Sequence, residues 1–300
     1  MDLSGIEEAV SLAERRWSGL TFHISGGEAH SPCPFEHDGT DRFTVFDDGG
    51  FWCRQCGKTG WLDDDRQRHI LTPAERNAIE IRKLKRQAAE HERRLSVLEQ
   101  MAKCRDHIRY HQALDQDGRR YWNGEGIYDD AIDRYMLGLC YSCPTDSEHR
   151  MSWTIPVMTK GVLVNIRHRL LTNGADRYRP HLAGLGNTLF NADNLYNGKP
   201  DVMIVEGEKK SICLSQYDLN TVGMMGKAGF PPVWASRFAD KGTVYVALDP
   251  DAQEEARKIA GLFKGRGRVV TLPVKADDFF VMGGKPQEFR EYMRIARKAD

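Results

Sequence analysis

Two short apolar, β-rich runs, residues 202–205 and 244–248, each end in acid followed by glycine or proline. The first continues as Glu206-Gly207-Glu208-Lys209-Lys210 and the second as Asp249-Pro250-Asp251. Each leads into a helical stretch, the alternation expected of a parallel sheet with covering helices. Open parallel sheets bind ligands at the carboxyl ends of their strands. If these two strands are neighbours, Glu206, Asp249 and Asp251 converge at one edge. Three close carboxylates repel one another unless a divalent cation sits between them. Mg²⁺ suits such a place, because it takes oxygen ligands, keeps several waters and binds phosphates. Asp277 and Asp278 follow Lys275 after the next expected strand, 268–272, and either could complete the set. Acids at strand ends otherwise cap helices or stay solvated, but two such motifs in succession favour a metal.

A second chemical cluster lies earlier. Cys53-Arg54-Gln55-Cys56-Gly57 is a tight thiolate knuckle, and His30, Cys33 and His37 lie upstream. Zinc wants four N or S ligands in a tetrahedron, usually two from each of two turns. Cys33 and His37 can supply the first pair, with Cys53 and Cys56 the second; His30 with Cys33 also has ligand-like spacing. One structural Zn²⁺ is therefore expected, in a small module with Phe43, Phe46, Phe51 and Trp52 as its core. Trp61, Arg54, Lys58 and Arg42 are suited to stacking on and contacting unpaired bases. A second pair, Cys140 and Cys143, has no matching partner pair and reads as ordinary cysteines. His107 and His111 share a helix face and read as surface residues.

The elements that must hold these clusters follow from pattern and composition. The chain has 300 residues, 43 Lys+Arg and 43 Asp+Glu, so its net charge is zero. The charge is segregated, with residues 30–65 at −5 and residues 150–199 at +5. A basic segment ahead of an acidic one suits a polyanion held beside a divalent metal. No run is apolar enough for a membrane helix, the first residues lack a signal-peptide pattern, and seven cysteines make an odd count for a disulfide framework. A reducing cytoplasmic setting, with thiols free or metal-bound, is expected. Residues 6–17 read as an amphipathic helix, and strands are expected at 42–46 and 50–53. From Pro73 a long stretch without glycine or proline, rich in helix formers, reads as a connecting helix with a thin apolar stripe (Ile79, Ile81, Leu84, Leu95, Leu98 and Met101). Strands are expected at 153–157 and 162–169, and a charged helix at 286–297.

At this point the chain resembles a known family. A strand ending in Glu-Gly, about forty residues, then a strand ending in Asp-x-Asp is similar to the TOPRIM fold of DnaG-type primases, topoisomerases and some nucleases. The segments CPFEHDGTDRF and FWCRQCGKTG resemble the N-terminal zinc-binding domain of DnaG-type and phage primases. WNGEGIYDDAIDRYMLGL (122–139) resembles the opening of their RNA polymerase domain. WTIPV, GVLVNIRHRL and DRYRPH (153–181) resemble its basic subdomain, and Gly223-Met224-Met225-Gly226-Lys227 sits at a glycine-containing turn of the family. The order covers most of residues 30–290. Glu36 occupies the slot of the family's second zinc ligand, with His37 one residue on. The acid pair reads Lys-Ala-Asp-Asp, and neither a GxxxxGK[ST] loop nor a helicase-like domain is present.

The resemblance implies an α/β fold with four parts. These are a zinc-ribbon module (1–70), a helical linker (71–115), an α+β basic subdomain (116–200) and a TOPRIM, Rossmann-like parallel-sheet domain (201–300). It implies a compact phage- or plasmid-type DNA primase that makes short RNA primers on single-stranded DNA from NTPs, with a separate replicative helicase. Asp249 and Asp251 would hold two or more Mg²⁺ or Mn²⁺ ions together with Asp277 or Asp278, and Glu206 would join the metal shell or act as general base. Arg167, Arg169, Arg177, Arg179 and Lys227, and more weakly Lys209 and Lys210, would neutralise template and triphosphate charge. The alternatives are a TOPRIM nuclease, or a non-catalytic zinc/TOPRIM DNA-binding recombination mediator.

Overall fold

The computed structural model describes residues 4–25, 27–35, 39–63, 73–172, 178–226 and 229–298. His37, Arg177 and Lys227 lie outside the described residues. The chain divides into two compact units, Met1–Arg82 and Lys83–Asp300.

The first unit is an antiparallel meander covered by one helix. Helix α1 (Ser4–Arg16) buries Ile6, Ala9 and Ala13, one face at helical spacing. Beneath it run β1 (His23–Ser25), β2 (Glu28–Ser31), β3 (Phe43–Phe46), β4 (Gly50–Cys53) and β5 (Thr59–Trp61), hydrogen-bonded in that order. Trp17 meets Phe35, Phe43 and Phe51 edge-on, with ring centroids 5.8, 5.1 and 5.1 Å apart. Such quadrupole-matched contacts strengthen a core too small to rest on area alone.

Helix α2 (Pro73–Lys103) begins in the first unit and ends in the second, unbroken over 31 residues. Its expected apolar stripe is mostly in water: Ile79, Ile81, Leu84 and Leu95 are exposed, and only the end at Met101 is fully buried. The helix therefore rests on its helix-forming composition rather than on packing along its length. It stops before Cys104, where α3 (Asp106–Gln112) turns away. His107 is buried on α3 and the His111 Nδ1 lies 2.8 Å from the Leu137 carbonyl, so neither is the surface histidine expected from spacing.

The second unit holds two sheets over one shared core. After α4 (Gln116–Gly124) and α5 (Asp129–Arg134), strands β6 (Gly138–Cys140), β7 (Ser152–Thr159), β8 (Val162–Leu170) and β9 (Tyr178–Pro180) form an antiparallel sheet in sequence order. The other sheet contains β10 (Asp201–Glu206), β11 (Thr221–Met224), β12 (Thr243–Ala247), β13 (Gly267–Val269) and β14 (Arg297–Lys298). Its order is β11-β10-β12-β13-β14, parallel except for the last strand. Helices α6 (Glu208–Ser215), α7 (Gln253–Gly261), α8 (Ala276–Val281) and α9 (Pro286–Arg294) complete it. Trp122, Ile155, Val205, Ile212, Phe280 and Phe289 belong to a single buried cluster, which locks the two sheets together. Among the described residues, no helix is long and apolar enough to cross a membrane.

Candidate active site and nucleic-acid interface

Strand order places the acids. β10 leads through α6 to β11 on one side, and the chain then crosses to β12 on the other. The β10–β12 boundary is thus the topological switch point of the sheet, where a crevice opens at the strand ends. Val205 lies opposite Ala247, so Glu206 and Asp249 leave neighbouring strands at the same end. Two glycines shape this corner. Gly207 has φ +87°, a conformation that favours glycine. A Cβ on Gly223 would stand 2.6 Å from the Gly207 carbonyl oxygen, and the Gly207 amide donates to the Met224 carbonyl at 2.6 Å. Gly223 and Met224 are therefore part of β11, not of a turn, and the missing side chain lets the Glu206 corner sit against that strand.

The carboxylates are held apart by lysines. Among the described residues, no three of these acids bring oxygens within 4.8 Å of one another. The two strand ends meet at one edge as expected, and Asp249 there faces lysines. The Lys210 Nζ lies 3.0 Å from Asp249 Oδ1, and the Lys275 Nζ lies 3.7 Å from Oδ2. The Lys209 Nζ lies 2.7 Å from Asp277 Oδ2 and 2.5 Å from Glu125 Oε2. Asp277 is 1% exposed, while Asp278 is half-buried, so Asp277 is the member of the pair set against the lysines. Burial pushes the Asp277 carboxyl up, but Lys209 and Lys210 outweigh it and hold the group below its ordinary range. Burial likewise opposes the Lys209 ammonium, and Asp277 and Glu125 raise it regardless. Asp277 Oδ1 is buried with no hydrogen-bond donor among the described residues, and Asp249 Oδ1, also buried, faces the Lys210 ammonium. A buried carboxylate oxygen left this way at a strand-end corner fits a hard divalent cation.

The basic side is also neutralised within the fold. Arg167 on β8 is buried, with its Nε 3.2 Å from Glu208 Oε1 and its guanidinium over the Tyr178 ring. Arg169 pairs with Glu125 at 3.2 Å and donates to the Tyr121 hydroxyl, and Tyr121 in turn stacks on Trp153 at 4.5 Å. Arg179 donates to the Tyr178 carbonyl. A continuous ladder, Arg169–Glu125–Lys209–Asp277, thus runs from β8 of the antiparallel sheet to helices α6 and α8 of the parallel-sheet half. Glu125, Glu208 and Tyr121 were missed in the sequence. An acid opposite a basic strand has no local signature 44 residues away.

In the first unit Cys33, Cys53 and Cys56 gather their sulfurs within 4.8 Å, and the Cys53 and Cys33 sulfurs are 3.5 Å apart. Burial raises the Cys53 thiol, but the Cys56 and Gln55 amides outweigh it and hold the group below its ordinary value. Those amides favour a thiolate, the form that binds metal. His30 does not join the sulfurs; its Nδ1 is 3.1 Å from the Thr44 hydroxyl. Trp52 departs from its expected place in the core. It is 45% exposed, and Trp61 is 39% exposed. Gly50 pairs with Trp61, so Trp52 and Trp61 share the sheet face opposite the buried Phe51. Arg54 pairs with Asp41 at 2.5 Å, and the Lys58 ammonium sits 4.3 Å over the Phe35 ring.

No family model matches this sequence, and no curated protein matches it. Solved structures do. The zinc-binding and RNA polymerase domains of the Aquifex aeolicus primase align over 98% of this chain and 85% of theirs, with TM-score 0.51 and 17% identity. The fold is that of DnaG-type primases. The RNA polymerase domain of Mycobacterium tuberculosis primase DnaG aligns over 69% of this chain and 84% of its own, with TM-score 0.54 and 14% identity. A DnaG primase catalytic domain bound to single-stranded DNA aligns over 71% of this chain and 84% of its own, with TM-score 0.50 and 18% identity. The DnaG-type order, a zinc-binding domain and then an RNA polymerase domain, is the order of the cysteine cluster and the acidic corner here.

Proposed function

We propose that this chain is a DNA primase that synthesises short RNA primers on single-stranded DNA by metal-dependent nucleotidyl transfer. The observation that carries the reading is the placement of Glu206 and Asp249 at the same end of neighbouring strands, at the switch point of a parallel sheet, within a chain of DnaG-type primase fold. A structure of that fold is bound to single-stranded DNA.

Asp249, Asp251 and Asp277 would hold Mg²⁺ or Mn²⁺, with Glu206 beside them. Such ions supply Lewis-acid stabilisation of charge on a triphosphate and on the attacking and leaving oxygens. Lys210 and Lys209 lie on Asp249 and Asp277 and compensate their charge. Moved off those carboxylates, the same ammonium groups reach for phosphate. Glu125 fixes Arg169 and Lys209 together, so template-side and nucleotide-side cations keep one spacing. Cys33, Cys53 and Cys56, with His37 as the expected fourth ligand, would hold one structural Zn²⁺. Trp52 and Trp61 give that module a flat aromatic face on which unpaired bases stack. The helicase partner is proposed as a separate protein.

The test is to supply single-stranded DNA of mixed sequence, labelled NTPs and Mg²⁺ or Mn²⁺, with Asp249→Ala alongside. Short RNA from the wild type alone is the expected result. Cleaved DNA without RNA would replace this reading with the nuclease one. DNA binding without either, equal in wild type and D249A, would replace it with a non-catalytic mediator.

A further inference from the structure

We propose that Cys104, Asp106 and His181 form a divalent-metal site of zinc type, distinct from both the cysteine cluster of the first unit and the acidic corner. The three residues meet where α2 ends, α3 begins and β9 ends. Their ligand atoms all lie within 4.8 Å of one another. The His181 Nε2 is 3.7 Å from the Cys104 sulfur and 3.3 Å from Asp106 Oδ2. A tetrahedral zinc with bonds of about 2.0–2.3 Å sets its ligand atoms about 3.3–3.8 Å apart. The two edges that meet at His181 already have tetrahedral length, and the third, between Cys104 and Asp106, is under 4.8 Å.

The surroundings aim these atoms at a common point. His181 is buried, and its other nitrogen, Nδ1, is 3.0 Å from His168 Nε2. His168 is fully buried in turn, with its Nδ1 2.9 Å from the Ser152 hydroxyl. Tyr110 packs edge-on against both rings. Asp106 is held from behind by Arg109, whose Nη2 is 3.3 Å from Oδ1, leaving Oδ2 toward His181. Outer partners of this kind fix the orientation of ligating histidines and carboxylates. The wire Ser152–His168–His181 can run either way. Without metal, each ring donates from Nε2, and His181 ends on Asp106. With metal, each ring donates from Nδ1, and the Nε2 lone pair of His181 turns to the ion. Both rings carry one proton in either arrangement, so no buried charge is created.

The donor set selects the ion. A thiolate and an imidazole favour zinc over magnesium. One thiolate and one carboxylate balance a 2+ charge, so the occupied site is neutral. Cys104 and Asp106 are only half-buried, which gives an ion a way in and leaves the fourth position to water or an incoming ligand. The site would fasten the last turn of α2 to β9. This inference does not rest on primer synthesis.

The test measures zinc per chain in the full-length protein, after loading with excess Zn²⁺ and desalting, for wild type, Cys104→Ser and Asp106→Asn. Circular dichroism confirms that each variant is folded. The expected result is one zinc equivalent fewer per chain in both variants than in the wild type. Co²⁺ loading should show a thiolate-to-cobalt band weaker in C104S than in wild type by the share of one sulfur. Because the readout is a difference, loading of the Cys33 cluster does not affect it. Wild-type zinc content in either variant overturns the assignment.

Discussion

Replacing Lys209 by methionine isolates the ladder that joins the two halves of the second unit. The Lys209 ammonium sits 2.7 Å from Asp277 and 2.5 Å from Glu125. At an effective dielectric of 20, each contact carries roughly 6 kcal/mol of attraction before desolvation. Desolvating the ions costs several kcal/mol apiece, so the intact ladder stabilises far less than that sum. The variant is different: Asp277, at 1% exposure, would be left as a buried anion with Lys210 as the cation still acting on it. Glu125 keeps Arg169 at 3.2 Å and suffers little. Breaking a buried pair on one side costs about 3–5 kcal/mol. K209M should therefore lower local stability by that amount, speeding exchange of protected amides about 10²–10⁴-fold. Hydrogen exchange read on peptides covering β10, β11 and α8 confines the measurement to this unit. D277N should be costly for the mirror reason, and K209M/D277N should cost clearly less than the two singles added. A change below about 1 kcal/mol in K209M, or strict additivity of the pair, would refute the assignment of Lys209 as the counter-charge of Asp277.

Further outcomes follow from other contacts. Trp52→Ala and Trp61→Ala should each weaken binding of single-stranded DNA by about 1–3 kcal/mol, the worth of one stacked base; fluorescence anisotropy with unchanged zinc content checks this. Gly223→Ala should disturb the Glu206 corner, because its Cβ would stand 2.6 Å from the Gly207 oxygen, and primer yield should fall far more than affinity for DNA. Asp146 is buried and accepts from the Arg150 guanidinium and amide, which hold its carboxyl well below the usual range. A lowered folded-state pKa adds stability above the unfolded value of about 3.9, and that stability is lost as pH falls through the folded value. Asp146→Asn should lower the melting temperature at pH 7 and flatten its decline in acid, as a melting series across pH 3–7 would show.

The parallel sheet was legible because its strands are short apolar runs closed by acid and glycine or proline. β10 and β12 formed where expected and as neighbours. The cysteine knuckle was legible because Cys53 and Cys56 are close in sequence. Whatever depends on distant partners was not. The lysines after Glu206 read as open cations, yet Lys209 is committed to Glu125, 84 residues away. Cys104 read as nothing in particular, since the histidine facing it is 77 residues on. Trp52 was misplaced because alternation along a four-residue strand does not say which face is covered. α1 decides that by packing on the Phe51 side.

The place of the acids at neighbouring strand ends has a consequence for how this chain tolerates change in length. Glu206 and Asp249 are separated along the chain by all of α6, β11, the connection from Met225 to Gly242 and β12, yet they follow neighbouring hydrogen-bonded strands, which lie about 4.8 Å apart. Their separation is set by the ladder between β10 and β12. Residues can be added to or removed from the β11–β12 connection without changing that step, provided the connection still reaches the far side of β10. The connection is therefore the part of the acidic half in which insertions can accumulate, while the two carboxylates keep their spacing.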